Sequence, residues 1–331
     1  MKSLLWILGA ETIATAAVLL LALDIYAHQR VEPLGGVNIW GYRGPVAQSR
    51  APKEIRLVLV GGTRAFGWGQ PGPALTNEVR RLIMLTTDRP GGETRPVVAI
   101  NLGRAGALPD SYAEIIDHFS YLQPDYICLY DDLGVSGSSA ASDRSGVFEV
   151  TGYAPVLPLV LREKGLSLRY GDVTRGYESA DSSRGAAPSM LRRGAGTIVE
   201  SAGVVLGAAD RLMARVLISR RHETPPQADD ATAYAAAMMT AIDAAHRRAR
   251  GVVVVTSPSE RPEQVANARA FEIQRRKALA STDWFRFVDL GAEPALFDPA
   301  LRVDGWNYGS TATALVAQRI APAVLSLIEK P

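Results

Sequence analysis

The stretch "LVLVGGTRAFGWGQ", residues 57–70, carries most of the information about the fold. An apolar run ends in Gly61 and Gly62, and a hydroxyl-bearing residue, Thr63, follows directly. A short apolar run that ends at glycines is typical of a buried strand. A strand that turns sharply into a helix and presents a hydroxyl at the turn also resembles the place where an enzyme keeps a nucleophile.

Strand-like and helix-like segments alternate on the C-terminal side of this stretch. The sequence predicts further strands at "RPVVAINLG", "PDYICLYDDLG", "GVVVVTSP" and "WFRFVDL", with helical segments between them. Such alternation implies a parallel sheet with helices on both faces. We therefore predict an α/β fold over residues 54–331, a three-layer α/β/α arrangement with a mostly parallel sheet.

An insert rich in Ser, Gly, Ala and Arg interrupts the alternation at about residues 134–235. Within it, residues 199–219 predict a helix. That helix could lie on a membrane surface, but packing against its own domain or a partner is the simpler expectation.

The N-terminus predicts a transmembrane anchor at residues 1–27, followed by a Gly- and Pro-rich linker at 28–53. Ser3 to Ala27 form an apolar stretch of 25 residues, long enough to cross a bilayer. A cleavable signal peptide is the alternative, but Ile25 spoils the small-x-small pattern before Ala27. Glu11 lies near the middle of the stretch. It is either protonated against a local backbone partner or docks the helix to another membrane protein.

Composition limits the classes of partner. A net charge of +2 and the lack of a basic run interleaved with aromatic residues argue against nucleic acid. The single cysteine, Cys128, excludes an internal disulfide and a cysteine-based zinc site. No cofactor and no metal are expected. Lys2 before the span and Arg30 after it carry equal positive charge, so the charges near the span do not set its orientation. Because long domains cross a membrane largely regardless of charge, we expect a single-pass protein of the inner membrane with its bulk in the periplasm.

Four loops follow predicted strands and would meet at one edge of the sheet, where α/β proteins bind ligands. They are Gly61–Thr63, the stretch "NLGRAG" at 101–106, the pair Asp131 and Asp132, and "VDGWNYG" at 303–309. A hydroxyl, glycine amides and carboxylates suit acyl transfer, which also needs a base. None of the four histidines lies on such a loop; they are His28, His118, His222 and His246.

These loops resemble the sequence blocks of SGNH/GDSL hydrolases, and the resemblance extends from Ile55 to Leu327. The family's first block reads Gly-Asp-Ser, which places Thr63 at the nucleophile and Gly62 at the acid. "NLGRAG" is similar to the second block and places Gly106 at the oxyanion glycine.

The remaining two blocks complete the positions that the resemblance implies. The third usually contains Gly-x-Asn-Asp, which aligns Asp131 with the oxyanion asparagine and Asp132 with the aspartate. The last has Asp and His three residues apart, which "DGWN" matches with Asp304 and Asn307. The implied triad positions are therefore Thr63, Asp304 and Asn307.

The departures from this pattern predict a degenerate site. Thr63 keeps a hydroxyl but adds a methyl group, and Asn307 cannot accept a proton near neutral pH. An anionic Asp131 near a developing oxyanion would oppose the charge that the site should stabilise, and losing one such donor typically costs about 10²–10³ in rate.

Three hypotheses for function follow. The first is a structural or binding subunit of an integral membrane protein complex, docked through its transmembrane helix and Glu11. The second is an extracytoplasmic esterase or acyltransferase on envelope glycan or lipid esters, with Thr63 as nucleophile and a base such as His222 from the insert. The third is a cation or glycan module built from three carboxylates, although carboxylates that only bond the backbone are the simpler interpretation. Those carboxylates are Asp131, Asp132 and Asp304.

Overall fold

The structure is a computed structural model that describes residues 2–31, 36–67, 74–87, 95–104, 107–133, 145–151, 153–171, 190–218, 231–259, 261–302 and 307–329. The chain divides into two compact units. The helical unit comprises Met1–Val31, Ile39–Gly41 and Ser142–His222, and the sheet unit comprises Glu32–Asn38, Tyr42–Ala141 and Glu223–Pro331. The core of the predicted insert therefore groups with the N-terminal helix.

The helices among the described residues are, in chain order, α1 (Lys2–Val31), α2 (Thr63–Phe66), α3 (Ala74–Thr87), α4 (Pro109–His118), α5 (Gly146–Thr151), α6 (Leu157–Tyr170), α7 (Met190–Ile218), α8 (Ala231–Arg248), α9 (Pro262–Leu279) and α10 (Ser310–Ile328). The strands are β1 (Ile55–Gly61), β2 (Val97–Asn101), β3 (Tyr126–Asp131), β4 (Gly251–Thr256) and β5 (Phe285–Asp289).

The five strands form one sheet in the order β2-β1-β3-β4-β5, and every neighbouring pair is parallel. This confirms the predicted parallel α/β sheet. The chain first builds outward from β1 to β2 and then crosses back to β3, so the strand order reverses between β1 and β3. Ligands of such folds bind at the carboxyl ends of the strands beside that reversal.

Helices cover both faces of the sheet. Leu57 and Leu59 of β1 and Val253 of β4 belong to a buried cluster with α3 and α10. Because successive strand residues point to opposite faces, Val58 and Val254 point to the face covered by α4, α8 and α9. The two packed faces make the three layers that the alternation predicted.

Helix α10 is long and apolar enough to cross a membrane, and within the described residues no other helix meets that test. Half of it is buried, and Val316, Ile320 and Val324 pack into the core beside β4. By this packing α10 is a core helix of the sheet unit. The side chains of residues 2–10 lie outside the described part, so the membrane span at the N-terminus stays a prediction.

In the helical unit, α1 continues beyond the predicted end of the span at Ala27 and reaches Val31. Asp24, Ala27 and His28 are buried, whereas the apolar residues from Val18 to Leu23 are exposed. Helices α6 and α7 pack along each other, and α7 begins at Met190, earlier than the predicted residue 199.

Part of the predicted linker packs onto the sheet unit. Tyr42 is buried, and its ring meets that of Phe119 edge-on at 5.9 Å. Arg43 forms an isolated antiparallel bridge with Asn101 at the end of β2. Trp40, the other aromatic residue of this stretch, is exposed.

Candidate functional site

The turn that presents Thr63 depends on a close approach of two backbones. A Cβ atom on Gly61 would lie 2.0 Å from the carbonyl oxygen of Tyr130 on β3 and 2.6 Å from Cβ of Ala65. Only glycine therefore lets β1 end here and α2 start directly against β3. The side chain of Thr63, the first residue of α2, is partly exposed at the carboxyl edge of the sheet.

The end of α2 is held by two side chains from distant parts of the chain. The Asn101 amide donates to the carbonyl of Ala65 at 2.8 Å. The Arg43 guanidinium donates to the carbonyls of Phe66 and, at 2.7 Å, Gly67. Burial lowers the pKa of Arg43 to about 10. Arg43 was not among the predicted site residues, because no local pattern separates it from the exposed arginines of the same stretch.

Asp132 occupies the start of α2. Its Oδ2 accepts a hydrogen bond from the backbone N–H of Arg64 at 3.2 Å, and its Oδ1 accepts one from the Ser257 hydroxyl at 3.1 Å. Nε of Arg64 lies 3.8 Å from the same Oδ1. Burial raises the pKa of Asp132, while the Arg64 guanidinium and the backbone amides of Arg64 and Thr63 act against that rise. A carboxylate of this chain thus accepts the amides beside the Thr63 hydroxyl.

Gly62 aligns with the acid of the resembled family but has no side chain. The Asp132 carboxylate lies next to the space that a side chain at position 62 would fill. A Cβ atom on Gly62 would lie 3.0 Å from Oδ2 of Asp132 and 3.0 Å from the carbonyl oxygen of Ala107. A carboxylate side chain at position 62 would have to share this space with the one at position 132, and the two charges would repel each other.

Asp131 points away from Thr63, into the layer of α4 and α8. Its Oδ1 accepts from the Tyr112 hydroxyl at 2.7 Å, and its Oδ2 accepts from the Tyr234 hydroxyl and the Leu133 amide, both at 2.6 Å. Burial raises the pKa of Asp131 to about 6, although these hydrogen bonds lower it. The geometry does not meet the expectation that Asp131 stands at the oxyanion position, because adjacent residues of an extended chain face opposite sides and Asp132 faces Thr63.

Asn307 lies buried next to the Arg64 side chain. Both line a small cavity with Tyr130 and Tyr308, and the guanidinium carbon of Arg64 lies 4.6 Å from the centre of the Tyr308 ring. Sequence reasoning missed Arg64, which brings a buried cation to within 3.8 Å of the Asp132 carboxylate. The predicted positions Gly106 and Asp304 lie outside the described residues.

The histidines that the structure describes in the sheet unit lie far from the Thr63 turn. His118 ends α4, which leads into the start of β3, and its ring meets that of Phe119 at 4.9 Å. His246 in the last turn of α8, before β4, stacks on Trp284 with a centroid distance of 3.7 Å. Both therefore lie at the amino edge of the sheet. His222 is outside the described residues.

The carboxylates do not form a metal site in the part of the chain that the structure describes. No group of three His, Cys, Asp or Glu side chains there could hold a metal ion. Asp131 and Asp132 face opposite ways, and each is bound by hydroxyl and backbone donors.

No protein-family model and no curated protein matches the chain. Among solved structures, it is similar to a family 3 carbohydrate esterase from Clostridium thermocellum, with 12% identity, a TM-score of 0.44, and coverage of 83% of this chain and 98% of the other. A family 3 carbohydrate esterase from Talaromyces cellulolyticus is 11% identical, with a TM-score of 0.39 and coverage of 84% and 99%. A catalytic mutant of an acetylxylan esterase from Geobacillus stearothermophilus is 12% identical, with a TM-score of 0.41 and coverage of 83% and 94%. These neighbours are SGNH/GDSL hydrolases, the family that the four sequence blocks resemble.

Proposed function

We propose that this chain is a catalytically degenerate SGNH-fold protein, tethered to a membrane by α1, that serves as a structural or binding subunit of an integral membrane protein complex. The observation that carries the proposal is the Asp132 carboxylate, which accepts the Arg64 amide beside the Thr63 hydroxyl. Acyl transfer needs such amides free to bind the negative charge that develops on the substrate oxygen. The Asp132 carboxylate already accepts the Arg64 amide, and its negative charge would repel the charge that develops on a substrate oxygen.

The supply of a base supports the same conclusion. A hydroxyl nucleophile needs a group that accepts its proton near neutral pH, and an amide such as Asn307 cannot do so. His118 and His246 lie at the opposite edge of the sheet, against Phe119 and Trp284. Neither of these histidines of the described sheet unit is placed to serve as that base, which favours binding or assembly as the role of the domain.

The exposed apolar surface of α1 supports the tether. Val18, Leu19, Leu21 and Leu23 are all exposed large apolar residues, and Asp24 is the first buried residue that follows them. We therefore place the end of the span at Leu23, which leaves residues 3–23, about 32 Å of helix at 1.5 Å per residue, enough for the apolar core of a bilayer. The proposal keeps the bulk of the chain on the periplasmic side of the inner membrane.

The proposal competes with an esterase or acyltransferase that acts on envelope glycan or lipid esters through Thr63. A chromogenic acyl-ester assay on the full-length chain in mild detergent separates the two. We expect the same background turnover from the unaltered chain, from Thr63→Ala and from the matched control Thr86→Ala, an exposed threonine on α3. Turnover that Thr63→Ala abolishes and Thr86→Ala retains would establish the enzyme and overturn the proposed degeneracy.

Co-purification tests the role as a subunit. We expect defined membrane proteins to accompany the native chain out of its membrane in mild detergent. Glu11, an exposed carboxyl on α1, is the proposed docking group, so Glu11→Leu should reduce their recovery several-fold. Ala16→Leu, at an exposed position that helical periodicity places on the other side of α1, should leave the recovery unchanged. A chain that purifies alone would contradict the role, and equal recovery from Glu11→Leu would contradict the docking function of Glu11 alone.

A further inference from the structure

Among the described side chains of helix α7 between Gly194 and Met213, the exposed ones carry no charge. Every exposed described residue from Gly194 to Met213 is apolar, Gly, Ser or Thr. The face that they form extends over roughly 30 Å at 1.5 Å per residue. Its large apolar side chains are Ile198, Val204, Val205, Leu212 and Met213.

Two acidic residues of the same helix, Glu200 and Asp210, contact neighbouring helices of the unit. Glu200 forms an ion pair with Arg169 of α6, and Oδ1 of Asp210 accepts the backbone N–H of Val147 on α5 at 2.9 Å. A helix on the surface of a water-soluble protein normally presents charged side chains on its outer face. Large exposed apolar faces mark contacts with a membrane or a protein.

The hairpin of α6 and α7 is fixed to α1 at Asp24, directly after the exposed apolar run from Val18 to Leu23. Oδ1 of Asp24 accepts the backbone amides of Val156 and Leu157, at 3.0 and 2.5 Å, at the start of α6. The Tyr153 hydroxyl donates to Oδ2 at 2.6 Å. The apolar face of α7 and the apolar surface of α1 therefore belong to one compact unit.

We infer that the outer face of α7 lies in the lipid bilayer, at the boundary between head groups and acyl chains. The inference rests on the proposed anchoring through α1, because the Asp24 contacts hold α6 next to the end of that span. Glu200, Asp210 and Arg211 fall within one 20-residue stretch, which favours a helix in the plane of the interface over a second span. Interfacial helices bury an apolar face roughly 5–10 Å deep in this way.

Site-specific fluorescence on the full-length chain in phospholipid nanodiscs tests the inference. Val205→Cys carries an environment-sensitive dye, and quencher groups are placed on the lipid acyl chains. Ile273→Cys on α9 is the matched control, since Val205 is 66% exposed and Ile273 is 63% exposed. Cys128 is buried, and burial raises the pKa of its thiol, so the native chain should take up no dye. A third label at Leu20→Cys reports on α1 itself.

We expect lipid quenching at position 205 to be several-fold stronger than at position 273, together with strong quenching at position 20. Quenching at position 20 with none at 205 would overturn the interfacial role of α7 and leave the anchor intact. A dye at 205 that is shielded from water yet not quenched by lipid would show a protein contact and also overturn the inference. No quenching at either 20 or 205 would remove the anchor itself, and with it the proposed function.

Discussion

Two buried carboxylates, Asp132 in the sheet unit and Asp24 in the helical unit, accept similar sets of hydrogen bonds. Each accepts backbone amides at the start of a helix that is distant in sequence, α2 for Asp132 and α6 for Asp24. Each also accepts a hydroxyl, from Ser257 and from Tyr153 respectively. Helix starts attract anions because their first amides lack partners within the helix.

The difference lies in what each carboxylate displaces. Asp24 binds a helix to α1 and creates an attachment between segments 132 residues apart. Asp132 accepts the Arg64 amide beside the Thr63 hydroxyl, and under the proposed function that amide does not bind a substrate oxygen. A carboxylate close to a hydroxyl at a strand end is thus no sign of catalysis until its hydrogen-bond partners are known. The partners here are structural.

The largest effect should come from Asp132→Ala. It removes the carboxylate that faces the Arg64 guanidinium, and breaking a buried ion pair costs about 3–5 kcal/mol. We expect the free energy of unfolding in a urea titration to fall by that amount. Asp132→Asn keeps the shape of the side chain and should cost less. A loss below about 1 kcal/mol would show that the carboxylate is not a structural cap.

Asp24→Ala should come next. It deprives two buried backbone amides and the Tyr153 hydroxyl of their acceptor, at about 2–4 kcal/mol in total. Hydrogen exchange should accelerate at the amides of Val156 and Leu157 and stay unchanged in β1 and β3. Acceleration in both units would contradict a role confined to the helical unit, and the isosteric Asp24→Asn should give a smaller effect.

Asp131 supplies a pH test of its burial. Its pKa is raised from 3.8 to about 6, so the folded chain binds this proton more tightly than the unfolded chain does. The free energy of unfolding should therefore fall as the pH rises from about 4 to 6 and level off above, by at most about 3 kcal/mol. Asp131→Asn should remove most of this slope, and the remainder should come from Asp132, whose pKa is also raised. An unchanged slope would show that Asp131 titrates normally.

The smallest loss of unfolding free energy is expected at Gly62, where two substitutions separate the effect of side-chain charge from that of side-chain size. Gly62→Ala places a Cβ atom 3.0 Å from Asp132 Oδ2 and from the Ala107 carbonyl, which should cost about 1 kcal/mol. Gly62→Asp adds a second carboxylate and should cost about 1 kcal/mol more at neutral pH than at pH 4, where both groups take up protons. Equal losses at the two pH values would show that only size matters.

The sequence predicted the parts of the fold that local pattern controls. The apolar runs that became β1, β3 and β4 and the glycines after β1 were sufficient to place Thr63 at the carboxyl edge of a parallel sheet. The start of α7 was missed because Gly194 and Gly196 lower helix propensity, yet Gly196 lies against Arg169 of α6, where a larger residue would clash. Tertiary packing outweighed propensity there.

The site was harder to predict because its decisive contacts are long-range. Which of Asp131 and Asp132 faces Thr63 depends on where β3 ends, and a shift of one residue exchanges the two sides. The clamp of Asp24 on α6 and the hold of Arg43 on α2 each join segments that share no sequence pattern. The resemblance supplied the candidate positions, but only the packing showed that Asp132, and not Asp131, faces the Thr63 turn.

Positions 62 and 132 also constrain the substitutions open to this chain. A Cβ atom at position 62 would lie 3.0 Å from Oδ2 of Asp132, so an acid could be added at 62 either while Asp132 is present or after Asp132 is lost. Each intermediate is penalised, by repulsion in the first case and by a buried guanidinium without its anion in the second. Placing an acid at 62 at low cost would therefore take two coordinated substitutions, and either single step is opposed.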